Sequence, residues 1–410
     1  MSTALVPSHF SLHFAVRKNI LAFPKYVTST SDDVQERAAV LLDANENSAG
    51  SCLAPEAEIG GGCPQDTIDL SNLNRYPSAS HKSLRQRIVQ WRRLESIEQV
   101  CVGSGASDII DVIIRATCTP GSASILVTPP TFDFYRVCAR LHDVGVTECS
   151  QEMTADGDFR LPIDHICAAL STDERIKVVF LASPGNPTGS LIPLEQILRI
   201  LNLKEFRGIL VVDEAYIDFA AAPERASAVQ LLAKYNNLIV VQSLSKSHGL
   251  AGIRVGMAMA HPILISMLGK VQMPYRLSSV TLGLACEALS ADGLARATEL
   301  QRQVVQNRTR LTQLLIDPAL ASSGIGPPLG GLAANFVLVP IYAKQPSASG
   351  ACQRDDARAK RIVWRLRTSH DIAVRHVGGQ VGCSACVRIT VGTVSELKAL
   401  HTALRHVAEC

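Results

Sequence analysis

No apolar run in this chain approaches the roughly 20 residues that a membrane-spanning helix requires, and that absence argues against a membrane protein. Net charge is nearly absent too. The 40 basic residues stand against 37 acidic ones, a formal charge of +3, too small a surplus to attract a nucleic acid or a membrane surface. The expected partners are therefore small molecules. No internal repeat or long low-complexity stretch occurs, which excludes solenoids and linker-rich chains. Met1 to Lys25 lacks a continuous apolar stretch with a cleavage site, so secretion is not expected. Cytosol is the expected compartment; Arg17, Lys18, Lys25 and the nearby serines make an organelle-targeting segment the alternative.

Cysteine is not scarce, but its 12 copies are scattered through apolar surroundings, as at Cys118, Cys138 and Cys286. That is the pattern of buried free thiols in a reduced compartment rather than a disulfide framework. The pair in Cys383-Ser-Ala-Cys386 has no second pair at a matching spacing. Because a zinc site needs about four ligands, no metal is expected.

What is present is a long, apolar chain: 410 residues, 47% hydrophobic, enough for one large core and a smaller one beside it. From about Val100 to Ala260 short β-branched runs alternate with helical ones. Strands are predicted at Ile125–Thr128, Val144–Cys149, Lys177–Ala182, Ile209–Val212, Leu238–Gln242 and Arg254–Ala258, and helices at Asp108–Thr117 and Leu194–Leu203. Strands separated by helices imply parallel pairing with both sheet faces covered. Beyond about Leu277 the chain turns helical through Gln306–Leu315, then gives strands at Asn335–Val339 and Val387–Val391 around a helix near Ala357–Ser369. A second, smaller α/β domain fits that order. Gln345-Pro-Ser-Ala-Ser-Gly350 reads as a surface loop and Gly60-Gly-Gly-Cys-Pro64 as an irregular insertion.

In parallel α/β sheets ligands collect at the carboxyl ends of the strands, and here those positions are rich in polar residues and glycine. Ser243-Leu-Ser-Lys246 follows one strand; a lysine desolvated at such a place becomes nucleophilic, as Schiff-base chemistry requires. Ser183-Pro-Gly-Asn-Pro-Thr-Gly189 is a rigid turn presenting Asn186 as a directional donor and acceptor. Asp213-Glu-Ala-Tyr216 puts a carboxylate where an apolar strand leaves the sheet, a position that calls for a cationic partner such as a protonated pyridine nitrogen. Val102-Gly-Ser-Gly-Ala-Ser-Asp108 enters a helix, so backbone amides can approach a phosphate. Phe132, after Pro129-Pro-Thr131, offers a face for stacking on a flat ring.

Together with Leu42-Asp-Ala-Asn-Glu-Asn47, Arg75-Tyr76-Pro77, the lysine segment through Gly256, and Val387-Arg-Ile-Thr-Val-Gly-Thr393, these motifs resemble the fold-type-I aminotransferases, specifically the histidinol-phosphate aminotransferases. The resemblance runs from about Leu41 to Leu404. It implies a three-layer α/β/α large domain with a mostly parallel sheet over residues 73–277, a smaller α/β domain over 278–410, and an N-terminal arm, 1–72, contributing to the small domain and to dimer contacts.

The implied cofactor is pyridoxal 5'-phosphate, held as a Schiff base by Lys246, which then shifts the proton. The resemblance further implies that Asp213 pairs with the pyridine nitrogen and that Tyr216 and Asn186 meet the phenolic oxygen. Ala106, Ser107, Ser243, Ser245 and Arg254 would hold the phosphate, and Phe132, in place of the usual tyrosine, would stack on the ring. Tyr76 would reach into the neighbouring subunit's phosphate site, which makes a homodimer with shared active sites. Asn47, Tyr76, Asn186, Arg375 and Arg388 would contact substrate. Ser48 and Arg276 depart from the usual residues near the substrate region.

The implied reaction moves an amino group between L-histidinol phosphate and 2-oxoglutarate, yielding glutamate, a step of histidine biosynthesis. Alternatives are an aminotransferase for aromatic amino acids, a decarboxylase of phosphothreonine-like substrates, and a non-catalytic ligand-sensing regulator. No helix-turn-helix or basic patch precedes Leu41 to favour the last of these.

Overall fold

Alternation of side chains along each strand sets the architecture. The computed structural model describes residues 40–53, 73–344 and 353–409. The readings of Met1–Lys25, Gly60–Pro64 and Gln345–Gly350 lie outside them. The first strand, β1 (Val40–Leu42), belongs to a small sheet; the large sheet is built from β2 (Val100–Gly103), β3 (Ser124–Val127), β4 (Gly145–Glu148), β5 (Ile176–Ala182), β6 (Ile209–Asp213), β7 (Leu238–Ser243) and β8 (Gly256–Ala260). Its order is β2-β8-β7-β6-β5-β3-β4. Ile125, Val127, Val178, Phe180, Val211 and Ile239 pack into one core. Their alternate neighbours Leu126, Val179, Leu181, Leu210, Val212 and Val240 pack into another on the opposite face. Both faces are dry, so helices must cover both, and the fold is the expected three-layer α/β/α sandwich.

One expectation is corrected. The strand predicted at Arg254–Ala258 runs Gly256–Ala260 and is antiparallel to both neighbours, β7 and β2. The reason is length and composition: only Leu244–Val255 separates β7 from β8, with one short 3-10 turn at Ala251–Ile253 and no crossover helix. Without a crossover, consecutive strands return antiparallel. The remaining pairs, β3 with β4 and β5, β5 with β6, and β6 with β7, are parallel.

The small sheet has the order β1-β10-β11-β9, with β9 (Phe336–Pro340), β10 (Ile372–His376) and β11 (Cys386–Thr390). It draws β1 from the N-terminal region, paired parallel to β10. The helix α1 (Ala291–Leu315) joins the two units: Ala297 lies in the large core, whereas Val304, Leu311 and Leu315 lie in the small one. Ala285, Cys286 and Ala288 of the preceding helix also pack in the large core. The passage between cores therefore falls within α1 rather than at Leu277. Among the described residues no helix is long and apolar enough to cross a membrane.

Candidate active site

The carboxyl ends of β2, β5, β6 and β7 and the small sheet enclose a cleft of about 1050 Å³. Lys246, three residues past β7, sits half-buried in it with its Nζ donating to the Ala44 carbonyl at 2.8 Å. Burial, then the nearby Arg388, lowers the ammonium pKa to about 8. Roughly a tenth of this amine is free at pH 7, far more than an ordinary lysine offers.

To the same cleft the β6 terminus delivers Asp213, 6% exposed. Its Oδ1 accepts the Ala215 N–H at 3.1 Å and its Oδ2 the Tyr135 hydroxyl at 2.7 Å. Burial pushes the carboxyl above its usual range, against the pull of those two donors. Tyr216 is also buried; its hydroxyl accepts Asn45 Nδ2 at 3.0 Å. Asn186, on the turn after β5, accepts from Arg388 Nη1 at 2.7 Å.

The phosphate end depends on two glycines. Gly105, at φ +84, precedes the helix α2 (Ala106–Thr117) and lets Arg254 lie against it; a Cβ there would come 2.3 Å from Arg254 Nη2. At Gly256 a Cβ would stand 2.3 Å from the Ala106 nitrogen. Helix, strand and guanidinium thus close on one small cradle lined by Ala106, Ser107, Ser243, Ser245 and Arg254. Ser243 Oγ donates to the Val255 carbonyl at 2.9 Å, and Arg254 Nη1 reaches Ser245 Oγ at 3.4 Å. Converging amides, hydroxyls and one permanent cation suit a phosphate. Gly256→Ala is expected to push the helix start away, weakening phosphate retention at least about tenfold and costing roughly 1–3 kcal/mol of stability. A cofactor-binding titration and a thermal melt would measure both.

On the substrate side, Arg375 of β10 and Arg388 of β11 are directly opposed across an antiparallel pair and both line the cleft. Like charges so placed repel, and an anion between them removes the penalty. Arg388 is held by Asn186 and by the Asp43 carbonyl at 2.6 Å. Phe132 lines the cleft and meets Tyr135 edge-on, centroids 5.6 Å apart.

Two expected site residues do not line this chain's own cleft. Asn47 does not line the cleft: its Nδ2 donates to the Lys246 carbonyl at 3.1 Å, so it braces the lysine backbone, and Asn45 takes the place facing the site. Tyr76 is 81% exposed and stacked on Tyr275 at 4.5 Å, outside this chain's own cleft. Arg276, expected near the substrate region, pairs with Asp108 of α2 at 2.8 Å, pinning the helix start. Cys383 and Cys386 are buried with Phe159, Leu338 and Val377 in a minor core. Sequence reasoning missed Tyr135, which resembles any core aromatic, and a rim cluster in which His376 Nε2 meets Asp356 at 2.7 Å beside Lys360.

An activated lysine and a buried acid lining one cleft with a phosphate cradle define a pyridoxal-phosphate enzyme. The glycines, the dry carboxylate and the paired arginines all fit that cofactor and an anionic amine. The chain belongs to the class I and II aminotransferase family, whose model matches residues 39–404. It is 37% identical to the histidinol-phosphate aminotransferase of Schizosaccharomyces pombe, over 94% of this chain and 95% of that protein. Among solved structures, the histidinol-phosphate aminotransferase of Sinorhizobium meliloti in complex with pyridoxal-5'-phosphate superposes with a TM-score of 0.80 at 23% identity, covering 98% of this chain and 99% of that one. The L-threonine-O-3-phosphate decarboxylase of Porphyromonas gingivalis superposes at 0.67 and 18% identity, over 90% of this chain and all of that one. The fold alone therefore does not select the substrate.

Proposed function

We propose that this chain transfers the amino group between L-histidinol phosphate and 2-oxoglutarate, as in histidine biosynthesis. The observation that carries the reading is the opposed pair Arg375 and Arg388, both lining the cleft. Planar guanidinium forks receive a phosphate or a carboxylate equally well, which a transaminase alternating between two dissimilar anionic substrates requires. The nearly full-length relatives of that name favour it over an aromatic aminotransferase.

Bound pyridoxal phosphate supplies an electrophilic carbon for the incoming amine and a protonated ring that accepts electron density. Lys246 Nζ would hold the cofactor, and as a partly free amine it is the base placed to take the proton from the substrate carbon bearing the amine. Asp213 would keep the ring nitrogen protonated, while Tyr216 and Asn186 would meet its phenolic oxygen. Ser243, Ser245, Arg254 and the amides of Ala106 and Ser107 anchor the phosphate. The protein works as a homodimer in which Tyr76, exposed here, completes the neighbour's phosphate site, and the free thiols favour the cytosol.

Spectral titration of the holoenzyme with L-histidinol phosphate tests this. Conversion of the lysine-linked cofactor to its amino form at lower concentration than with phenylalanine is expected. No conversion, or carbon dioxide release from phosphothreonine in its place, sinks the assignment.

A further inference from the structure

The cofactor acid does not stand alone. Tyr135 lies in the helix Phe134–Leu141, wholly buried, and donates its hydroxyl to Asp213 Oδ2 at 2.7 Å. The phenol cannot swing away. Its ring is stacked on Phe180 of β5, centroids 4.8 Å apart and 14° from parallel, and Phe132 closes it edge-on. Burial and the neighbouring carboxylate hold the phenol proton firmly, so the hydroxyl donates and the acid accepts.

From this geometry we infer that Tyr135 is a positioning residue that keeps Asp213 a weak enough base for the shared proton to stay on the cofactor nitrogen. The inference rests on the pyridoxal-phosphate reading above. Between a buried carboxylate and a protonated pyridine, one proton sits in a short contact whose balance follows the basicity of each side. A hydrogen bond to the charged form stabilises it and lowers its basicity. With Tyr135 Oη on Oδ2 and the Ala215 amide on Oδ1, the acid reaches the ring already stabilised as an anion. Without the phenol donor, the carboxyl would draw the proton from the ring, and the ring would lose the charge that makes it an electron sink.

A buried tyrosine needs a partner for its hydroxyl in any case, so the test must separate tuning from simple satisfaction. Tyr135→Phe keeps the ring stack and deletes only the donor. In the holoenzyme, the lysine-linked cofactor changes its visible absorbance as its imine nitrogen loses a proton, and a positive ring nitrogen lowers that midpoint. Tyr135→Phe is expected to raise the midpoint by about half a pH unit or more and to lower turnover about tenfold. In an Asp213→Asn background the same substitution is expected to shift nothing, because no carboxylate remains to tune. An unchanged midpoint in the single variant, or an equal shift in both backgrounds, overturns the inference. Absence of any pH-dependent lysine-linked band in the wild-type protein would instead sink the cofactor reading itself.

Discussion

Replacing Lys246 by alanine is expected to abolish the visible band of lysine-linked cofactor and to cut transaminase turnover at least about ten-thousandfold. No other group in the cleft can substitute. The other lysine lining the cleft, Lys360, is on the rim and paired with Asp356 at 2.9 Å. The environment also sets a pH dependence. With its pKa near 8, Lys246 is a free amine in roughly a tenth of molecules at pH 7, against less than about one in a thousand for an ordinary lysine. Cofactor attachment to the wild-type protein should accelerate as pH rises toward 8 and level off above it. Folding stability carries the same signature. Between about 8 and 10.5 the unfolded chain binds the proton that the folded lysine has released, so Lys246's own contribution to the stability of the cofactor-free protein rises with pH in that window. The alanine variant should lack the rise. Stopped-flow absorbance and pH-dependent melts measure both, and retained turnover in the variant refutes the assignment of the lysine.

Lys246, Asp213 and Asn186 were legible because each stands at or just beyond the end of a strand whose hydrophobicity is unmistakable, and strand ends dictate where ligands collect. The arginines were legible only through resemblance, since no local pattern says that residues 375 and 388 face each other; that follows from register between β10 and β11. Asn47 and Asn45 show the limit of motif reading. The two amides are two residues apart; Asn45, in a left-handed backbone at φ 53, lines the cleft, and Asn47 holds the Lys246 carbonyl. The direction of β8 was misread because hydrophobic runs do not carry direction; the length of a connection does. Tyr135 was invisible for a simpler reason: its importance lies in one hydroxyl contact to a residue 78 positions away.

Asp213→Asn is expected to move activity and stability in opposite directions, with turnover falling about a hundred- to a thousandfold while the cofactor-free protein melts higher. The geometry explains both. The carboxyl is buried, and its folded pKa is raised from 3.8, burial being the largest cause. A raised acid binds protons more tightly in the folded chain, so stability falls as pH climbs from about 3.8 through the folded value, and at neutral pH the ionised group is a net cost. An asparagine of the same shape carries no charge to desolvate. It can still accept the Ala215 amide and can donate to the Tyr135 hydroxyl, which is able to act as an acceptor. The cost is therefore retained for function: only a protonated ring nitrogen repays the buried anion, and only an anion holds that proton in place. Cofactor binding should accordingly raise the melting temperature of the wild-type protein more than that of the variant. Paired melts with and without pyridoxal phosphate, beside turnover measurements, check this; a variant that melts lower without cofactor and keeps its activity would show Asp213 to be a structural acid.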